Sequence, residues 1–443
     1  MTTTPPPLRR HKAQGLLRLT VPIALALAAA PCAHAYPARS GIIDGPKAWT
    51  QYRGGPTHNA VFANPHPTTT TTAPSFPVGG SIASNPVIVH GRLYIGNITG
   101  RTKGSITAFT VATGKRLWQT QTPNQVMSDI VYANGILYAG YGNKYFDARD
   151  VRGTGHSGVL ALSARTGAII WNVPTAGEVM PTPVIDNGMI YVATGDGHFD
   201  ALDARSGLLD WHLRLPEWDS MSSPALDGNR IYVGADNSLV AINLAHRSIA
   251  WMFMDYGSFT DIPPAVGPDS AGKTRIVITA VKSAGQLTRE ERATYHITNQ
   301  PRFQFIYGFN TMGILLWKNL LGGGPQQTGD TSGTPTIADG KAFVGSPYTM
   351  SVYAYSLKSG RKLWQNHLGI GVKGAPAILN HKVYVADIHG NIHILNETTG
   401  ITEKTIPLAA TSISPDGPVI INNHLFAAGR NGTIYTLPID ATP

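Results

Sequence analysis

The chain has 443 residues and a formal net charge of +9, yet only 14% of its residues are charged and it holds a single cysteine. One thiol excludes an intrachain disulfide framework, and basic residues scattered singly, without interleaved aromatics, exclude a nucleic-acid footprint. Scarce carboxylates limit the charge swing as pH falls; this suits an exported protein bathed in acid and, equally, an ordinary periplasmic protein with a polar surface.

Residues 1–35 carry Arg9, Arg10, Lys12 and Arg18 and no acid, then an apolar run from Leu19 to Ala30 and the small-residue site Ala33-His34-Ala35. This pattern predicts a secretory signal peptide, too short to span a membrane. Cleavage after Ala35 removes Cys32 and leaves residues 36–443 as a single thiol-free domain, periplasmic or extracellular. Pro31 beside Cys32 argues against lipid attachment there. The Thr68–Thr72 run reads as loop.

The remaining chain is repetitive. Trp118, Trp171, Trp211, Trp251, Trp317 and Trp364 close similar phrases at intervals of 40 to 66 residues. In the clearest phrase, Thr182–Ile185, Met189–Ala193, His198–Asp203 and the run ending at Trp211 read as four strands. Asp186-Asn187-Gly188, Gly195-Asp196-Gly197 and Arg205-Ser206-Gly207 are the turns between them. Four strands per repeat of roughly 40–50 residues is the period of a propeller blade. Eight first-strand phrases begin eight units, at Asn85, Ser128, Thr182, Ser223, Pro263, Thr334, Ala375 and Gly417. We therefore expect an all-β fold, an eight-bladed β-propeller of four-stranded antiparallel blades. The eighth unit ends at Leu437 without an outer strand, and Ala48–Tyr52 is expected to supply it. Pairing of N- and C-terminal strands then closes the ring. No helical periodicity is evident beyond the N-terminus. Each tryptophan is expected to seal the junction between adjacent blades.

The phrase Ala201-Leu202-Asp203, Ser206-Gly207, Trp211, with its counterparts ending at Trp171 and Trp364, resembles the pyrroloquinoline-quinone-type propeller repeat, and Trp49–Gly54 resembles the lead-in segment of those proteins. The resemblance implies the fold more than the activity. Quinone-dependent dehydrogenases with this repeat carry an adjacent cysteine pair, absent from the mature chain, so no cofactor is expected. Periplasmic scaffolds for outer-membrane protein assembly share the repeat and form the competing reading.

Two motifs carry little. Gly267–Thr274 matches the phosphate-loop pattern, but a strand follows where that site needs a helix. His389 and His393 lie on a strand, where four residues span roughly 13 Å, too far to share a metal. No metal site is expected.

An acidic residue recurs in the loops that join one unit to the next, including Asp129, Glu178, Asp219, Asp261 and Asp330. Turn chemistry explains a single such residue, whereas a ring of them resembles a convergent site. Asp330 follows the Gly322–Gly329 loop, whose glycines suit close approach of backbone donors to an anion. The insertion Val281–Arg302 beside it is expected to be a lid or a homodimer contact. An exported, basic, cysteine-free propeller with this loop is similar to the tetrathionate hydrolases of acidophilic sulfur-oxidising bacteria. That resemblance implies Asp330 as catalytic residue and a small anionic sulfur compound as substrate. Lys373 is then the first candidate for holding a sulfonate, followed by Arg53 and Gln327, with Asp261 and Asp219 lining the site.

Overall fold

The computed structural model describes residues 50–62, 74–148, 151–216, 222–297, 299–325, 333–408, 412–413, 417–421 and 424–439, all within the compact unit Arg39–Pro443. Units one, two, three and six each form a four-stranded antiparallel sheet in chain order. Unit three shows why. Val184–Asp186 turns through Asn187 and Gly188, both at positive φ, into Met189–Thr194, the conformation a tight hairpin demands. His198–Asp203 and Leu209–Arg214 follow, with a bulge at Ala201/Leu202 opposite Trp211. The middle strands are largely buried, while the fourth strand alternates between exposed and half-buried residues, as expected for the free edge of a sheet packed on both faces.

Units four and five share one seven-stranded sheet, joined through the pair Ser258 and Val281. The last unit acquires its outer strand from Phe76–Pro77, which pairs antiparallel with Thr433–Ile434. This corrects the expectation for Ala48–Tyr52. Tyr52–Gly54 forms a short 3-10 turn with Arg53 in the left-handed region, and the chain that follows serves another purpose.

That purpose is to cover the free edges of the innermost strands. Tyr132 N–H of unit two donates to the Thr50 carbonyl, Leu226 of unit four to Pro56, Val266 of unit five to Thr57 and Ile378 of unit seven to Ala60, at 2.7–3.0 Å. The Asn59 side chain accepts from Ile337 N–H of unit six at 2.9 Å. Val61–Phe62 then pairs in parallel with Ile378–Leu379. Residues 50–62 thus bond in turn to five units, satisfying main-chain groups that would otherwise be stranded away from water.

The junctions at the outer strands repeat one device. Trp118, Trp171, Trp251, Trp317 and Trp364 each donate the indole N–H to a carbonyl of the next unit, at 2.9–3.2 Å. Against each ring lies a glycine of that next unit: Gly167, Gly207, Gly313, Gly360 and Gly400. A Cβ there would come within 2.4–2.8 Å of the indole. The same glycines sit at φ of 69° to 83°. Sterics and backbone conformation both demand glycine, so the phrase that looked like a turn signal also encodes the neighbour's packing surface. After Trp211 the left-handed position is held by Arg247, which pairs with Asp210 at 2.9 Å.

The insertion after Val281 contains a helix, Arg289–Thr294, which the absence of helical periodicity did not predict. Thr288 caps it, and Glu291 reaches back to the Thr288 N–H. Glu291 also accepts from Lys282 and Lys318, which both bond to Asp255 of unit four. The Tyr307 hydroxyl donates to Asp255 as well. Burial pushes the Glu291 carboxyl up, but the hydrogen bonds from Lys282 and Lys318 outweigh it and leave it lowered to about 2. The Gly267–Thr274 segment is a hairpin turn, with Asp269 accepting from Ala271 and Lys273 N–H.

Candidate functional site

In a four-stranded meander, the loop leading into a unit and the turn between its second and third strands emerge on the same edge. That edge gathers polar side chains from different units. Some of them only tie neighbours together. The Asp129 carboxylate accepts from Asn85 N–H at 2.6 Å, the Thr182 hydroxyl from Asp129 N–H and the Ser223 hydroxyl from Thr182 N–H, both at 2.9 Å. Each side chain satisfies the main chain of the preceding unit, so the recurrence of polar residues here is partly structural.

Arg152 is different. It lies in the turn region between the second and third strands of unit two, and its guanidinium is 3.9 Å from both Glu178 and Asp261. Glu178 leads into unit three and Asp261 into unit five. One side chain therefore links loops of units two, three and five. The Glu178 N–H donates to the Arg152 carbonyl at 2.7 Å, and the Gly195 N–H to the Glu178 carbonyl at 2.8 Å. A Cβ on Gly195 would sit 2.7 Å from the Arg152 carbonyl oxygen, so glycine is needed for this approach. Glu178 is fully buried, whereas the Asp261 and Arg152 side chains keep 19% and 11% exposure; the trio is open to solvent on the Asp261 side. Asp261 sits at a φ of 61°, an uncommon conformation for a non-glycine residue and one that often marks a constrained site.

The sequence candidates distribute unevenly. Asp261 belongs to this trio. Lys373 leads into unit seven and is 6% exposed. Arg53 is 1% exposed, and its guanidinium serves the His58 carbonyl at 3.0 Å, the Pro376 carbonyl at 2.6 Å and the Thr336 hydroxyl. It anchors residues 50–62 to units six and seven, a structural task in place of the expected sulfonate contact. Asp330, Gln327 and Asp219 lie outside the described residues. The start of the glycine run also has a packing reason. Gly322–Gly324 finish a strand paired with Arg302–Gln304, and a Cβ on Gly324 would meet the Tyr348 carbonyl oxygen at 2.2 Å. Sequence reasoning missed Arg152. Its signal was the 53-residue spacing from Trp118 to Trp171, longer than the next two, which reflects the polar stretch between Tyr141 and Gly158.

For cations, Asp339, His381 and Glu397 bring ligand atoms within 4.8 Å of one another. The Lys341 ammonium already occupies Glu397 at 2.8 Å, so the protein supplies its own cation there. His393 pairs with Asp387 at 2.9 Å. No helix among the described residues is long and apolar enough to cross a membrane.

A family model described as outer membrane protein assembly factor BamB (PQQ_2) matches residues 102–253 and 302–442. The chain is 23% identical over 354 residues to tetrathionate hydrolase of Acidithiobacillus ferrooxidans, covering 75% of this chain and 68% of that one. It is 24% identical over 353 residues to outer membrane protein assembly factor BamB of Yersinia pestis, covering 75% and 79%. Among solved structures, BamB from Moraxella catarrhalis superposes with a TM-score of 0.63 at 18% identity, over 83% of this chain and 99% of that one. The structural neighbours are propeller proteins, and the likeness establishes a β-propeller fold.

Proposed function

The chain belongs to the PQQ_2 family, outer membrane protein assembly factor BamB, and within it we propose an exported hydrolase that cleaves tetrathionate at acid pH. The observation that carries this reading is the convergence of Arg152, Glu178 and Asp261 from separate units on one edge of the sheets. A scaffold needs exposed strands and loop patches, and it has no use for charged groups gathered among the connecting loops. The tetrathionate hydrolase likeness at 23% identity points the same way.

In this reading the signal peptide 1–35 is removed, and the eight units close into a wheel through the pairing of Phe76–Pro77 with Thr433–Ile434. The substrate remains a dianion in acid because its sulfonates are strong acids, and positive charge among the loops draws it in. Lys373 and Arg152 face the sulfonates, while Gln327, Asp219 and Asp261 line the site. Asp330 acts on water. A carboxylate with an ordinary value of about 3.9 accepts and returns a proton near pH 3–4, where histidine is already charged. As the Asp330 carboxylate takes one water proton, the oxygen bonds to a sulfonate sulfur and the adjacent sulfur–sulfur bond breaks. The proton passes to the departing sulfur. Hydrogensulfate and a three-sulfur sulfonate result, and the latter yields thiosulfate on losing a sulfur atom. No cofactor takes part. The test is turnover of tetrathionate by the purified mature chain across pH 2–7. Thiosulfate and sulfate release in acid, abolished by Asp330→Asn in a folded protein, supports the assignment; full activity in that variant removes Asp330.

The second reading, an assembly scaffold, draws on the BamB family match and on apolar side chains on and beside the outer strands. Leu208, Met254 and Tyr256 are 70%, 58% and 69% exposed, and such exposure suits a binding partner. Recovery of an outer-membrane assembly partner in a pull-down, with no turnover of any sulfur anion, favours it.

A further inference from the structure

The tryptophan device fails at one junction. Trp118, Trp171, Trp211, Trp251, Trp317 and Trp364 each pair with an alanine or glycine of the third strand. At the same register position unit seven has Lys404, opposite Ile394. In units one to four the tryptophan lies against a tyrosine of the second strand, with ring centres 5.8–6.1 Å apart. The corresponding tyrosine of unit seven is Tyr384, which pairs with Ile394. Unit eight also lacks the turn that would carry a facing glycine, because its outer strand is Phe76–Pro77. Where unit eight meets unit one, Pro74 stands in for the indole, and a Cβ on Gly114 would meet its ring at 3.1 Å. Between units seven and eight no indole stands among the described residues.

A cavity of about 220 Å³ opens at that junction. Ile392, Ile394 and Ile406 line it from unit seven, and Leu425, Leu437 and Ile439 from unit eight. These side chains belong to one hydrophobic core or pack against it. Glu403 and Lys404 border the cavity and are both exposed, so it communicates with solvent. Lys382 lies 3.7 Å from Glu403 and offsets its charge. The Lys404 ammonium is left as the net charge on the rim.

We propose that this cavity binds a planar aromatic acid of about indole size. Its ring takes the place that a tryptophan fills at the other junctions, and its carboxylate meets the Lys404 ammonium. The room suffices: a cavity of roughly 150 Å³ lined by apolar side chains takes up benzene, so the larger one here holds a two-ring system. Burial of the ring faces against isoleucine and leucine supplies the affinity, and the single cation at the rim sets the orientation. The site lies at the outer strands and is independent of the hydrolase reading.

The experiment titrates the mature wild-type chain, Lys404→Met and Lys404→Trp with indole-3-propionate, indole and octanoate at pH 7, by calorimetry, and measures Tm and sedimentation for each protein. Wild type is expected to bind indole-3-propionate with a Kd at or below about 1 mM. Indole, which lacks the carboxylate, should bind about two- to fivefold more weakly, the worth of an exposed ion pair. Lys404→Met should hold indole-3-propionate no better than it holds indole. Lys404→Trp places an indole in the gap from within the chain, so it should lose binding and gain about 1–3 °C in Tm. No binding by wild type, or undiminished binding by folded Lys404→Trp, overturns the site. Octanoate bound as tightly as indole-3-propionate overturns the aromatic assignment. A dimeric wild type that becomes monomeric in Lys404→Trp overturns the small ligand in favour of a second copy of this chain seated there.

Discussion

The outer strands and the connecting-loop edge join neighbouring units in opposite ways. At the outer strands five junctions use the same parts, an indole, a carbonyl and a facing glycine. On the other edge the ties are of several kinds: Asp129, Thr182 and Ser223 cap main-chain N–H groups of the preceding unit, Arg152 links three units, and Lys282 and Lys318 hold the inserted helix through Glu291 and Asp255. Rings and glycines do not titrate, whereas carboxylates do. The difference separates junctions that stay the same at every pH from ties whose charge changes with pH.

The largest way to expose that contrast is Glu291→Gln. It leaves Lys282, which is fully buried, and Lys318 sharing the Asp255 carboxylate, and the positive charge left uncompensated costs about 3–5 kcal/mol at neutral pH. The folded carboxyl is lowered from 4.5 to about 2, so its contribution is complete above 4.5 and disappears as pH falls through about 2. Urea unfolding of wild type and variant should therefore converge near pH 2.

Gly400→Ala tests the other class. A Cβ 2.5 Å from the Trp364 ring, at a φ of 73°, should cost about 2–3 kcal/mol, with no change between pH 3 and pH 7. Arg247→Ala at the Trp211 junction should cost below about 1 kcal/mol, because its ion pair with Asp210 is half exposed. Equal losses at the two junctions would show that the glycine carries no special load.

Asp200→Asn has the opposite sign. Burial, reinforced by Asp196 and only partly offset by His198 and His212, raises the Asp200 carboxyl to about 6. A raised carboxyl penalises the folded state above its folded value, and the penalty vanishes below the ordinary 3.8. Asparagine should stabilise the protein by about 1–2 kcal/mol at pH 7 and by nothing at pH 3, read as Tm at both pH values. An unchanged difference between the two pH values would place the Asp200 titration elsewhere.

The sequence was most legible where local rules repeat. Asn187-Gly188 demanded a tight hairpin, and the regular Trp and Gly pair carried both a turn and its neighbour's packing surface. The Gly267–Thr274 segment was recognisable as a hairpin because a strand followed it. The connecting-loop edge was less legible. From the sequence Arg53 is a candidate sulfonate contact within the lead-in segment Trp49–Gly54, and only the structure reveals the carbonyls it serves. Arg152 sits in a polar stretch without repeat counterparts, and the long Trp118–Trp171 spacing marks that stretch without singling out the residue.

By itself, the order of residues determined the repeating strand units, the positions of their turns and the tryptophans at their ends. These follow from backbone geometry and short-range sterics, which act within a few residues. Tertiary structure alone decided that Phe76–Pro77 completes the last unit, that residues 50–62 cover the inner strands, and that Arg152, Glu178 and Asp261 come together. Those outcomes depend on which unpaired main-chain groups and charges meet across different units, and such a competition is settled only once the sheets have packed.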